Sequence, residues 1–281
     1  MKVTTIDRHA TVLALLLVGG VVSANYVRAG DPPQATPASS PAQAAQMVSA
    51  ARIQPLRPDF QFPYGQTLHY EGEWRFITAG VATLRLEQSG PQGHVAGTAD
   101  STGVVALLYH IQDQFNTYFD AKSLCSYKSS KHTEEGLHRR DTLVTYDYGR
   151  GKAVLEERNL KSNQQKRSEN DIPGCVTDII SGIFYVSSLP LQVGATYSFP
   201  LNDGGKTVTV RAHVEGKEPI KTPAGTFQTV RVGPEGDSGA LLKNKGRIWI
   251  WYSDDGRHLP VQMRAKLFWG TATLYLTSIS K

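Results

Sequence analysis

TLHYEGEWRF, residues 67–76, decides the fold class. Thr67, His69, Glu71, Glu73 and Arg75 alternate with Leu68, Tyr70, Gly72, Trp74 and Phe76. A period of two sends neighbouring side chains to opposite faces of a strand, here one polar and one apolar. The same alternation recurs around Ala82, Leu84 and Leu86, around Val144, Tyr146 and Tyr148, and around Val208, Val210, Ala212 and Val214. Strands buried on both faces would read as unbroken apolar runs, so the pattern predicts an antiparallel sheet with one wet face. Turn residues fall between these stretches, at Gly149-Arg150-Gly151, Asn202-Asp203-Gly204-Gly205, Pro223-Ala224-Gly225 and Asp254-Asp255-Gly256.

Two segments depart from this period. In residues 175–190, Val176, Ile179, Ile180, Ile183 and Phe184 share one helical face. Pro173-Gly174 and Pro190 bound that segment and predict a helix of about 14 residues. The run Val104 to Ile111 reads equally as a helical turn or a buried strand. An apolar helix stripe and an apolar sheet face need each other, which predicts a curved antiparallel sheet, a half-barrel or open barrel, packed on one main α-helix.

The amino-terminal residues read as an address. Residues 10–24 are uncharged and mostly apolar, the length of an export-signal core and short for a membrane span. Val22-Ser23-Ala24 places small residues where cleavage would occur. The expected organisation is a signal peptide over 1–24, a Pro/Ala-rich disordered linker over 25–58 and a single β-rich domain over 59–281. An uncleaved anchor is the alternative. Either way the domain is expected outside the cytoplasm, in the periplasm first, with secreted or tethered forms as variants. Contact with a membrane is expected only through the signal or at the periphery. The oligomeric state is left open.

Composition narrows the function classes. Thirty Lys plus Arg against 25 Asp plus Glu gives +5, a mild excess. Basic and acidic residues intermingle between Lys128 and Asn170, unlike the clustered basic surface of a nucleic-acid binder, so no nucleic-acid partner is expected. Cys125 and Cys175 are the only cysteines. In an oxidising compartment they are expected to pair, with two separate buried thiols as the alternative. No C-x-x-C or H-x-x-x-H spacing occurs, so neither a metal nor a cofactor is expected. Asp254, Asp255 and His258 form the only local cluster resembling a hydrolytic site, but Asp-Gly is also a turn signal in its own right.

Trp249 and Trp251 lie on one face of RIWIWYS, with Ile248, Ile250 and Tyr252 on the other. Together with Trp74 and Trp269 they form the candidate ligand-binding set. They would line an apolar groove or belong to a strand packed beneath the helix.

FPYGQTLHYEGEW, ITAGVATLRLE, VTDIISGIFYVSSLPLQVG, TPAGTFQTVRV and WYSDDGRHLPVQMRAKLFWGTATL, taken in order, resemble the bacterial envelope family known as domain of unknown function 3108. The resemblance covers Pro63 to Ile279. It implies an exported, mostly β envelope protein with no assigned catalytic residues. It also implies an architecture similar to the half-barrel carriers of lipids and lipoproteins. The expected function is therefore non-enzymatic binding of an apolar ligand (a lipid or lipidated chain) or of a partner segment of an envelope protein. A scaffold module and an envelope-polymer hydrolase are the alternatives.

Overall fold

The computed structural model describes residues 51–236, 246–267 and 270–281. The expected signal peptide and most of the expected linker lie outside them. Fourteen strands form one antiparallel sheet. The first eight are β1 (Gln66–Trp74), β2 (Ile77–Ser89), β3 (Gln92–Ser101), β4 (Ile111–Asp120), β5 (Ser126–Glu135), β6 (His138–Asp147), β7 (Lys152–Asn159) and β8 (Gln165–Asp171). The remainder are β9 (Thr196–Asn202), β10 (Thr207–Thr222), β11 (Gly225–Gly236), β12 (Arg247–Ser253), β13 (Pro260–Leu267) and β14 (Gly270–Ser280). Among the described residues two short helices interrupt them, α1 (Gly103–Leu108) and α2 (Ile179–Ser187).

The order in space is β8 back to β1, then β14 back to β9. The chain thus lays one meander outward from β1, crosses through α2, and lays a second meander back to pair β14 with β1. This leaves β8 and β9 as the edges, and the sheet curls until they meet at one point. There Asn202 Nδ2 donates to Asn170 Oδ1 at 2.6 Å and Thr207 Oγ1 donates to the Asp171 carbonyl at 2.8 Å.

Alternation builds the core. Leu68 and Tyr70 of β1, Leu84 and Leu86 of β2, Phe115 and Phe119 of β4, and Val210, Ala212 and Val214 of β10 all face inward, into the one buried core that also takes in α2. Every α2 residue from Ile180 to Ser187 is buried. Tyr252 of β12 donates its hydroxyl to the Ile183 carbonyl of α2 at 2.9 Å, tying sheet to helix.

The helix has nine residues, not the expected fourteen or so. The reason lies at its start. Thr177 is extended and bridges Leu201 in parallel, so the backbone before Asp178 is committed to the sheet edge. Asp178 then caps the helix, its carboxylate accepting from the Ile180 and Ser181 N–H groups at 2.8 and 3.0 Å. An N-cap of this kind satisfies orphan donors and fixes the helix start. The ambiguous run after Val104 resolves into both forms, since α1 ends at Leu108 and β4 starts at Ile111.

Residues 51–58, expected within the linker, are packed. Ile53 and Leu56 lie against the core. The Gln54 N–H donates to the Tyr185 hydroxyl at 2.8 Å and the Arg57 N–H donates to the Ser188 carbonyl at 3.2 Å. Packing of this segment extends the folded unit before Asp59.

Candidate functional site

Among the described residues, Trp74 stands three strands away from Trp249 and Trp251. Trp249 and Trp251 share the face opposite Ile250 and Tyr252, turned away from α2. Their indole N–H groups donate to Glu215 Oε2 at 3.2 Å and to Glu218 Oε1 at 2.8 Å. The Arg247 guanidinium covers the Trp249 ring at 4.9 Å and that of Arg264 covers Trp251 at 5.2 Å. Arg231 donates to the same two glutamates, at 2.9 and 2.7 Å. These indoles are therefore closed by arginines and carboxylates rather than left as apolar walls. Trp74 sits on β1, with β14 and β13 between it and β12, under Arg75 at 5.2 Å. Trp269 lies outside the described residues.

Asp254, Asp255 and His258 meet as a turn, each with a separate partner. Asp254 pairs with Lys217 Nζ at 2.7 Å. Asp255 accepts from the Ser253 hydroxyl at 2.9 Å and pairs with Arg257. His258 is buried, donates Nδ1–H to the Ser187 carbonyl at 2.9 Å and faces Arg57 Nη1 at 3.5 Å through Nε2. Burial first, and Arg57 second, hold its pKa below the ordinary value. The imidazole thus links the amino-terminal strap to the end of α2, and neither nitrogen faces a carboxylate or hydroxyl.

The two cysteines come together as a disulfide with Cα atoms 5.3 Å apart. It lies beside a buried polar knot. Asp178 accepts from the Ser126 hydroxyl at 2.7 Å and the Thr117 hydroxyl at 3.1 Å, in addition to its two helix N–H donors. Burial pushes its carboxyl pKa up, and the four donors work against that. This knot locks α2 to β4 and β5 and has no opening to a ligand.

An exposed apolar rim stands out instead, and no reading of local sequence located it. In an antiparallel meander the β1–β2, β3–β4 and β5–β6 connections all lie at one end of the strands. Those three connections carry Phe76 at 98% exposure, Leu107 at 87%, and Leu108 and Leu137 at 75% each, with Ile77 and Val104 beside them. The connections touch. The Gly136 N–H donates to the His110 carbonyl at 2.7 Å, and the Thr102 N–H donates to the Ala79 carbonyl at 3.0 Å. At the β1–β2 tip, Arg75 and Phe76 have φ of 48° and 70°. A bulky residue is rare in the left-handed region, and an observed outlier there motivates a functional hypothesis. The exposed Phe76 ring buries nothing that would offset that strain. Residues 75–76, 102–110 and 136–137 include Arg75 and His110 but no Asp or Glu.

Directly behind Leu137 the inner face turns polar. Lys131 Nζ lies 3.4 Å from the buried Asp113 Oδ2 and 3.8 Å from Glu135 Oε1. Burial pushes the Glu135 carboxyl up to about 7, with Lys131 opposing and Asp113 adding to the rise. Among the described residues no three His, Cys, Asp or Glu side chains are arranged to hold a metal ion. No described helix is long and apolar enough to cross a membrane.

A family model described as "Protein of unknown function (DUF3108)" matches residues 67–277. No curated protein matches the sequence. Among solved structures, a beta-barrel-like protein of domain of unknown function DUF1849 from Brucella abortus is similar in fold. It has a TM-score of 0.54 and 11% identity, over 82% of this chain and 99% of that one. A provisionally assigned exported protein with a YmcC-like fold from Bacteroides fragilis aligns with TM-score 0.31 and 12% identity, over 79% and 98% of the two chains. A provisionally assigned lipoprotein from Parabacteroides distasonis aligns with TM-score 0.30 and 10% identity, over the same shares. The first likeness concerns the curled sheet alone, and the other two are too loose to carry an argument.

Proposed function

We propose, from the premise that this chain belongs to the DUF3108 family, that it is an exported envelope protein, without catalysis of its own, that docks on membrane lipid through its apolar rim. The observation that carries this reading is the convergence of Phe76, Leu107, Leu108 and Leu137, all exposed, on one end of the sheet. Exposed large apolar side chains gathered at one end of a fold mark an interaction site. A bilayer interface suits it better than a protein groove, because the rim is made of separate protruding tips that can each sink among headgroups. Arg75 and His110 beside those tips, with no acid on them, match the anionic face of a membrane. The uncharged stretch at residues 10–24 supports export, with the periplasm as the expected compartment.

Flotation of the purified protein with vesicles of phosphatidylcholine and phosphatidylglycerol tests the proposal. The expected result is that the protein rises with the vesicles and that Phe76→Ser/Leu107→Ser/Leu108→Ser/Leu137→Ser stays below while retaining its melting temperature. A protein that never floats, or a folded variant that floats as well as the parent, overturns it.

A further inference from the structure

The outward face of β4–β8 is dished into a groove of about 730 Å³. Register explains its lining. Gln114 of β4 pairs with His132 of β5, which pairs with Asp141 of β6, then Arg158 of β7, then Gln165 of β8. Five polar side chains thus stand in a line across five strands. At about 4.8 Å per strand that line is roughly 19 Å long, with a spacing near the width of a sugar ring. A parallel row two residues along includes Asn116 and Ser130.

The charges in the groove are unequal. Alternation puts the side chains of Lys128, Arg158 and Arg167 on this face with two carboxylates, Asp141 and Glu156, while Lys131, Lys166 and Glu157 turn to the inner face. Glu156 pairs with Arg167 at 2.9 Å and Asp141 with His132 at 2.6 Å. The acids are consequently engaged. Among the described residues neither Lys128 nor Arg158 has a carboxylate partner, and Arg158 donates to the Asn163 amide oxygen at 2.9 and 2.7 Å. Cationic heads beside a row of amides and hydroxyls suit a ligand that is both anionic and rich in hydroxyl groups. The groove is too polar for an acyl chain.

Leu137 of the rim lies five residues beyond His132, about 16 Å along the strand. We infer that the groove is a subsite for the anionic saccharide headgroup of a membrane glycolipid whose acyl side faces the rim. The saccharide half stands on the groove; the lipid half rests on the rim reading above.

Calorimetric titration of the folded protein with tetragalacturonate, with neutral maltotetraose and with a single-stranded oligonucleotide of equal charge tests the saccharide half. The expected result is saturable binding of the uronate alone, weakened by added salt and at least about tenfold by Lys128→Glu/Arg158→Glu. Absence of uronate binding, equal binding by that variant, or equally tight binding of the oligonucleotide overturns it. Flotation separates the two halves. Vesicles containing lipid A are expected to capture more protein than phosphatidylglycerol vesicles, and Lys128→Glu/Arg158→Glu is expected to erase the preference while still floating. Loss of the preference in the parent protein sinks the glycolipid assignment. A rim variant that binds uronate normally yet still floats sinks the rim reading and leaves the groove standing.

Discussion

The two ends of the first meander were built from the same antiparallel strands, and they treat apolar side chains in opposite ways. At the end bearing the β2–β3 and β4–β5 connections, the strap before β1 folds over the opening. Phe62 lies there between Phe119 and Phe184, with ring centroids 5.3 and 4.9 Å away. Beneath it sit the disulfide and the Asp178 knot. At the other end Phe76, Leu107, Leu108 and Leu137 stand in water. Hydrophobic burial is worth roughly 25 cal/mol per Å², so a cover over those side chains would stabilise the fold as Phe62 does at the far end. The contrast teaches that folding uses the closed end, while among the described residues the open end stays uncovered.

The contrast is most sharply broken by opening the closed end. Cys125 and Cys175 enclose a separation of 50 residues, for which the chain-entropy account gives about 4 kcal/mol. Cys125→Ala/Cys175→Ala is expected to lower the unfolding free energy by that amount in urea titrations, and an intact mass that is unchanged by reductant would remove the premise. Asp178→Ala follows. It deletes a helix cap and strands the Ser126 and Thr117 hydroxyls in a buried site. A cap is worth about 1 kcal/mol and stranded buried groups about 1–3 more, so a loss of about 3 kcal/mol is expected. A loss below about 1 kcal/mol would mean that the knot does not hold α2.

A smaller effect comes from pH at the base of the open end. Glu135 titrates near 7 in the folded protein because burial disfavours its charge, against an ordinary 4.5. A carboxyl raised on folding stabilises fully below its unfolded pKa, and that contribution is lost as pH climbs through the folded one. Glu135→Gln keeps the neutral form at every pH. Parent and variant are therefore expected to melt together below about pH 4.5, with the variant increasingly ahead as pH climbs through 7. His258 acts with the opposite sign, since its lowered pKa costs stability as pH falls below 6.5. It is present in both proteins and cancels in the difference. A gap independent of pH would show that Glu135 is not the titrating group.

Alternation made most of the sheet legible, because Leu68 and Tyr70, or Val210 and Ala212, can satisfy both the pleat and the core in only one orientation. The strand RIWIWYS was legible in its two faces, yet not in what covers them. Arg264 and Glu218 reach the Trp251 indole from other strands, and no local pattern encodes that. The helix was read too long because Val176 fits the stripe while Thr177 is drawn into the sheet edge by Leu201. Asp178 with Ser181 three residues on was the stop signal available, an acidic residue and a hydroxyl in capping-box spacing. The rim and the groove were hidden for a simpler reason. Phe76, Leu107 and Leu137 are far apart in sequence, and Gln114 to Gln165 meet only through four successive registers.

The finest test of the contrast separates folding from docking at a single residue. Phe76 occupies φ of 70° with its ring 98% exposed. Asn enters the left-handed region more readily than Phe because its short polar side chain bonds locally. Phe76→Asn therefore relieves backbone strain and removes no buried surface, so stability is expected to stay within about 0.5 kcal/mol of the parent or to rise. If the open end exists for docking, the same substitution weakens vesicle capture although the fold is no worse. A folded Phe76→Asn protein that floats like the parent would mean that Phe76 is tolerated rather than used. A loss above about 1 kcal/mol would mean that the ring serves the fold after all, and the difference between the two ends would then be one of degree.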